Sequence, residues 1–294
     1  MIFAFIEAEK ANFPIRFMCS RLGVSTSGFY EWRHAQTHPC QRQVEDVELV
    51  ERIREIHQTS RRSYGSPRVH AELTLGEGRR HGRKRVERLM RRHGIVGIHR
   101  RRRGCTRRDP TAIPADDLVN RRFTPDQPDR LWVADVTEHP TGNGKVYLAV
   151  VLDAFSRIVL GWSIADHMRA ELVVDALQMA LWRRRPAAGQ TVHHSDHGAQ
   201  YTSWAFGRRL RAAGLLGSMG TVGDALDNAV AESFFGTLQV ELLDEHRWDT
   251  KAELASAIFE WVEAWYNPRR RHSHCGMLSP ADYEAAHRAL ETAA

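Results

Sequence analysis

From Leu131 onward the apolar residues stop recurring at helical intervals and come in short runs, and this change constrains the fold more than any other feature of the chain. Residues 131–136 predict a short strand, and residues 146–152 form a continuous apolar run that predicts a buried one. Residues 153–157 turn the chain, and residues 158–164 return as a third strand, making a hairpin. A helix follows over 170–182, then a brief strand over 191–194, a helix over 203–213, a strand near 215–219, a Gly-containing loop over 220–227 and a helix over 228–243. The order β-β-β-α-β-α-β-α predicts an α/β domain with one mixed sheet covered by helices.

Three acids stand on this scaffold, Asp135, Asp196 and Glu232, with 60 residues between the first two and 35 between the last two. The element order places Asp135 on the first strand, Asp196 at the end of the fourth and Glu232 near the start of a helix. Such positions can converge on one sheet edge. Gathered carboxylates repel one another, and a bound cation relieves that cost. Hard oxygen donors suit Mg²⁺ or Mn²⁺, and two such ions can activate an attacking oxygen and stabilise a leaving one during phosphoryl transfer. Each acid also has a plainer reading: a strand end, a turn residue before Gly198, and a residue favoured by the positive end of a helix, with Asp227 or Asn228 as its cap.

The preceding half of the chain is helical and basic. Residues 79–108 hold fourteen Lys or Arg and one acid, Glu87, a balance of +13, while the whole chain carries +6. That asymmetry points to a polyanion, most simply nucleic acid. The first 35 residues read as two short helices around Gly23, with Pro14 opening one and Ser25 capping the other, a helix-turn-helix pattern. A charged helix is expected over 42–58, and two more near 68–75 and 83–93. On the last, Val86, Leu89 and Met90 form an apolar stripe. Its basic side offers Arg83, Lys84, Arg88 and Arg91 to phosphates, as does the run Arg100, Arg101, Arg102 and Arg103 beyond it. The expected division is 1–35, a helix-turn-helix-like segment; 42–98, a basic helical region; 99–129, a linker; 130–245, the catalytic core; and 246–294, a helical extension.

The motifs around the acids resemble those of transposases of the insertion sequence 3 group, second reading frame product, and more distantly the retroviral integrase core. The matching stretches are Trp132-x-x-Asp135, His194-Ser195-Asp196-x-Gly198-x-Gln200-Tyr201 and Asp227-Asn228-Ala229-x-x-Glu232-Ser233-Phe234-Phe235. So are the tail Tyr266-Asn267-x-x-Arg270-Arg271-His272-Ser273 and the upstream Tyr64-Gly65-Ser66-Pro67-Arg68. Cys275 departs from the pattern, which has Leu there. The resemblance implies an RNase H-like five-stranded core after an all-α helix-turn-helix-type region, and a DDE-type polynucleotidyl transferase. It implies two Mg²⁺ or Mn²⁺ ions held by Asp135, Asp196 and Glu232. It further implies double-stranded DNA as substrate (terminal inverted repeats and target), with Arg270 and Arg271 added to the nucleic-acid contacts. A homo-oligomer on DNA, fusion to an upstream-frame protein, and a bacterial cytoplasmic, nucleoid-associated location complete the expectation.

Other classes remain to be weighed: a DNA-binding regulator without catalysis, a nuclease that only hydrolyses, and a zinc hydrolase built on His193, His194 and His197. The four cysteines, Cys19, Cys40, Cys105 and Cys275, are scattered without a CxxC pair, which argues against structural zinc and a disulfide framework. The apolar opening 1–6 meets Glu7 at once and is too short to be a signal core or a membrane span.

Overall fold

The computed structural model describes residues 1–38, 40–98, 125–196, 198, 200–219 and 229–293. The run Arg100–Arg103, His197 and the Asp227–Asn228 cap lie outside them.

Three helices, not two, open the chain: α1 (Ile2–Glu9), α2 (Ile15–Arg21) and α3 (Thr26–Thr37). The apolar opening folds because α2 and α3 give it a partner. Ile6 is fully buried against Met18, Cys19 and Phe29. Ser25 caps α3 as expected, accepting a hydrogen bond from Gly28 N–H at 3.0 Å. Next come α4 (Gln41–Thr59), α5 (Ser66–Ala71), which continues as a π-helical turn Glu72–Gly76, and α6 (Arg83–Arg92). The expected stripe Val86, Leu89 and Met90 is buried against Leu49, Val50 and Ile53 of α4.

The sheet has the expected five strands: β1 (Leu131–Thr141), β2 (Gly144–Asp153), β3 (Val159–Ala165), β4 (Val192–Ser195) and β5 (Leu216–Met219), in the order β3-β2-β1-β4-β5. β1 pairs antiparallel with β2 and parallel with β4, and β4 pairs parallel with β5. β1 runs five residues beyond its expected end at Val136, through Pro140 to a two-residue turn at Gly142–Asn143. Pro140 is tolerated because β4 stops pairing with β1 at Val133, so the far half of β1 is an edge on that side.

Side chains alternate across β1. Trp132 and Ala134 face a core built with α7 (Ala170–Arg184) and Phe206 of α8 (Trp204–Ala212). Leu131 and Val133 face the opposite core. That second core contains α9 (Ala229–Leu238), continued by a π-helical turn Gln239–Leu243, and α10 (Lys251–Glu260), continued by a π-helical turn Trp261–Tyr266. The stripe on α9 is rotated from the expected one. Phe234 is 2% exposed, drawn in by Trp261 and Tyr266 at ring distances of 5.8 and 5.1 Å, while Phe235 is half-buried. On α10 and its continuation, Leu254, Ile258, Trp261 and Trp265 are all buried, matching their helical register.

The same core takes in α4, α5 and α6, so the helical region is packed on the sheet's covering layer. Tyr64 accepts Arg271 N–H at 2.7 Å, and its ring meets Trp265 at 5.6 Å. The last helix, α11 (Pro280–Ala293), docks through buried Glu284, which accepts from Ser156 Oγ at 2.6 Å and pairs with Arg184 of α7.

Gly161 sets how closely α7 approaches the sheet. A Cβ there would stand 2.0 Å from Ala176 O and 2.6 Å from Ala180 N, both helix backbone, which no side-chain rotation relieves. Gly161→Ala is therefore expected to lower the unfolding free energy by about 2–3 kcal/mol. Urea denaturation checks this, and an unchanged midpoint would contradict the close approach.

Candidate active site

Asp135 and Asp196 are brought together by strand register. Leu131, Trp132 and Val133 of β1 pair with Val192, His193 and His194 of β4. Continuing that register by two residues sets Asp196, just past β4, opposite Asp135. Neighbouring strands lie about 4.8 Å apart. β1 continues past Asp135 with only β2 beside it, so a crevice opens beyond the end of β4. Clefts outside the carboxyl ends of strands are where open α/β sheets take ligands.

Asp135 lies on the Val133 side of β1, the side covered by α9, whose first turn carries Glu232. Asp135 is half-buried, and Asp196 and Glu232 are exposed. Asp135 Oδ1 accepts Val136 N–H at 2.8 Å, and Asp196 Oδ1 accepts Gly198 N–H at 3.0 Å. Burial pushes the Asp135 carboxyl up to about 7. The Val136 N–H opposes that shift, and the negative charges of Asp196 and Glu232 add to it, so all three acids share one electrostatic neighbourhood.

Tyr201 stands in the core on the α7 side of the sheet. It is 3% exposed, and its phenol is held well above its ordinary value by burial and by Asp135 and Asp196. Its hydroxyl has no hydrogen-bond partner among the described residues. Sequence reasoning gave Tyr201 no role, and its burial could not be read from a motif that is otherwise polar.

The donor set suits a hard divalent cation. It is all oxygen, and the electrostatic influences on Asp135 are two further acids, with no Lys or Arg among them. Among the described residues no three His, Cys, Asp or Glu side chains close around a point that could hold an ion. Among the described residues the histidines do not form a zinc site, and His197 lies outside them. His193 and His194 are consecutive on β4 and face opposite sides of the sheet. His193 packs on Tyr201 and Phe206 and is pushed down to about 4 by burial, so it stays neutral. His194 Nδ1 lies 3.0 Å from Ser218 Oγ.

The basic residues divide. Arg83 and Lys84 stand exposed at the start of α6. Arg88 pairs with Asp46 at 2.9 Å and Arg91 with Glu87 at 2.8 Å, so acids temper part of this face. Arg270 and Arg271 turn inward, against the expectation of surface contacts. Arg270 is 3% exposed and forks onto Glu241 at 2.7–3.1 Å, while Arg271 is 7% exposed and donates to Glu72 at 2.7 Å. Their carboxylate partners lie far off in sequence, so nothing local in the tail signals the pairing. Cys275, the departure noted above, is fully buried, and its thiol donates to Ser156 O at 3.2 Å.

The chain is similar to known proteins over most of its length. The integrase core domain family matches residues 125–225 and, by a second description of the same name, 214–280; the HTH-like domain family matches 44–103. The chain is 39% identical to the transposase for insertion sequence element IS629 of Shigella sonnei, over 96% of this chain and 95% of that one. It is 36% identical to transposase InsF for insertion sequence IS3A of Escherichia coli strain K12, over 97% and 98% respectively. Among solved structures, the simian T-cell lymphotropic virus intasome in complex with PP2A regulatory subunit B56 gamma is 14% identical with a TM-score of 0.45, covering 78% of this chain and 73% of that chain.

The raised Asp135 carboxyl makes a stability prediction for the metal-free protein. Between about pH 4 and 7 the unfolded chain has released this proton and the folded chain keeps it. The stability is thus fully present below the unfolded value of about 4 and lost as pH rises through about 7. Asp135→Asn should raise the unfolding free energy at pH 8 by about 2–4 kcal/mol and change it little at pH 3.5. Equal effects at both pH values in chelator-treated samples would remove the buried-charge account.

Proposed function

The chain belongs to the insertion sequence 3 family of transposases with an integrase core domain, and on that premise we propose that it cuts and joins DNA by divalent-metal-dependent phosphoryl transfer at Asp135, Asp196 and Glu232. The observation that carries the reading is the β1–β4 register, which sets Asp196 opposite Asp135 on the side that α9 covers, with no Lys or Arg among the charges acting on Asp135.

Those carboxylates would hold two Mg²⁺ or Mn²⁺ ions, which when bound activate an attacking oxygen and stabilise a leaving one. The chain's own part is positional. The Val136 N–H orients Asp135, the Gly198 N–H orients Asp196 past the end of β4, and the buried face of α9 fixes Glu232. Water attacks a phosphodiester first and frees a 3′-hydroxyl, which then attacks a second phosphodiester. No covalent enzyme intermediate is required, so no nucleophilic Ser or Tyr is assigned. A regulator without catalysis would gain nothing from a half-buried Asp135 with no Lys or Arg among the charges acting on it.

The helical region supplies the DNA contacts in this proposal, through Arg83, Lys84, Arg88 and Arg91 and through Arg100–Arg103. The protein works as a homo-oligomer on the element's terminal repeats, fused to the upstream-frame product. Among the described residues no helix is long and apolar enough to cross a membrane.

Incubation of the purified chain with pre-nicked, end-labelled element termini and Mn²⁺ tests the chemistry. Asp196→Asn should abolish joined products while DNA binding survives; joining by that variant would sink the metal-site assignment. Replacing Arg100–Arg103 by Gln should weaken binding to unrelated sequences alike and flatten its salt dependence. An unchanged slope would show that this run does not touch phosphates.

A further inference from the structure

On the α9 face adjoining Glu232 lies a pocket of about 360 Å³ whose walls carry three arginines, Arg68, Arg157 and Arg270, and two histidines, His272 and His274. Ala229, Ser233 and Thr237, one helical turn apart on α9, form one side. Ser233 follows Glu232 directly, about 100° round the helix. Leu152 lines the floor and pairs with Val133, so Asp135 lies two residues, about 7 Å, further along β1.

Charge in the pocket is unbalanced. Glu241 is the buried carboxylate at hand, and its oxygens are taken by the Arg270 fork. Arg68 reaches Glu241 only at 3.8 Å and lies over the Tyr64 ring at 5.7 Å. Arg157 donates no side-chain hydrogen bond among the described residues, and the nearby acid Asp153 spends its carboxylate on the Asp129 and Phe155 N–H groups, each at 2.7 Å. His272 is held well below its ordinary value by burial and by Arg270, Arg68 and Arg157, which also shows the three guanidinium groups converging on it. Arg157 is further held at φ +65°, left-handed backbone where glycine is favoured. The turn keeps an arginine there at the cost of strain and like-charge repulsion, with no hydrogen-bonded partner among the described residues to offset it.

We propose that this pocket takes one phosphate of the DNA strand engaged at the carboxylate cleft, held by Arg157 and Arg68 with the Ser233 hydroxyl. Guanidinium forks match phosphate oxygens, and the apolar floor of Leu152, Val230 and Phe234 excludes water and strengthens the attraction. The displacement of about 7 Å along β1 to the Asp135 level is short enough for one nucleic-acid strand to occupy both places. This rests on the proposed DNA chemistry for its ligand, and it assigns to α9 a second duty as a phosphate clamp.

The test uses the full chain, with Arg157→Gly and Arg68→Gln as separate variants. Arg157→Gly removes the charge and relieves the backbone, so its thermal midpoint should equal or exceed that of the parent, and loss of ligand cannot then be blamed on unfolding. Calorimetric titration with inorganic phosphate at fixed ionic strength should show saturable one-to-one binding, weakened at least tenfold in both variants. DNA binding of each variant should lose about one unit of salt slope, as removal of one phosphate contact predicts. Phosphate binding that neither variant weakens, or none by the parent, overturns the pocket. Phosphate binding lost with an unchanged DNA salt slope overturns the DNA strand as its source and leaves a free phosphate anion. These readouts need no strand transfer, so a failure of the catalytic reading shows separately, as absence of joined products from the parent.

Discussion

A buried ion pair, Arg270 with Glu241, sits where three parts of the chain meet, and the placement of Glu232 depends on it. Glu241 belongs to the π-helical turn that continues α9, and Arg270 to the segment after the Trp261–Tyr266 turn. Arg68 of α5 stands beside them. Taking both charges out of water is expensive, and the pair repays this only through its fork geometry. Removing one partner would leave a buried charge alone, at about 3–5 kcal/mol. Its value is positional: α9 cannot slide or turn on the sheet without breaking two short hydrogen bonds, and Glu232 rides on the same helix.

Much of this was legible in sequence because it follows from periodicity. Apolar runs of strand length at 146–152 and 158–164 could be little else, and the helical spacing of Leu254, Ile258, Trp261 and Trp265 named its own buried face. The acids could be picked out by the motifs around them, although Asp135 stands within β1 and not at its end. What stayed hidden was settled by partners far away in sequence. The opening helix α1 forms because α2 and α3 complete a small core around Ile6. Phe234, not Phe235, faces inward because Trp261 and Tyr266 wait for it. Arginine reads as surface in any sequence, so nothing marked Arg270 and Arg271 as interior, or Arg157 in a turn as anything but a turn residue.

The charges of the core are sorted by α9. Among the described residues no Lys or Arg pairs with Asp135, Asp196 or Glu232, while Arg157 and Arg68 lie against the adjoining face of the helix. Neither group neutralises the other, although one ion pair between them would lower the energy of both. Such unspent charge of both signs on either side of one helix is a cost to the folded state, of the kind found where a structure is arranged for a ligand.

The parallel pairing of β1 with β4 also fixes when the carboxylate crevice comes into being. Asp135 and Asp196 are 61 positions apart, and β2, β3 and α7 must all be laid down between them before β4 can dock. Contacts of that separation are closed late in folding, after the local hairpin has formed. A ribosome that has delivered β1, β2 and β3 has therefore made a stable-looking hairpin sheet with only Asp135 of the three cleft acids in it. The crevice is born only with the last third of the chain, so a product cut short by early termination carries the basic helices without the acidic centre.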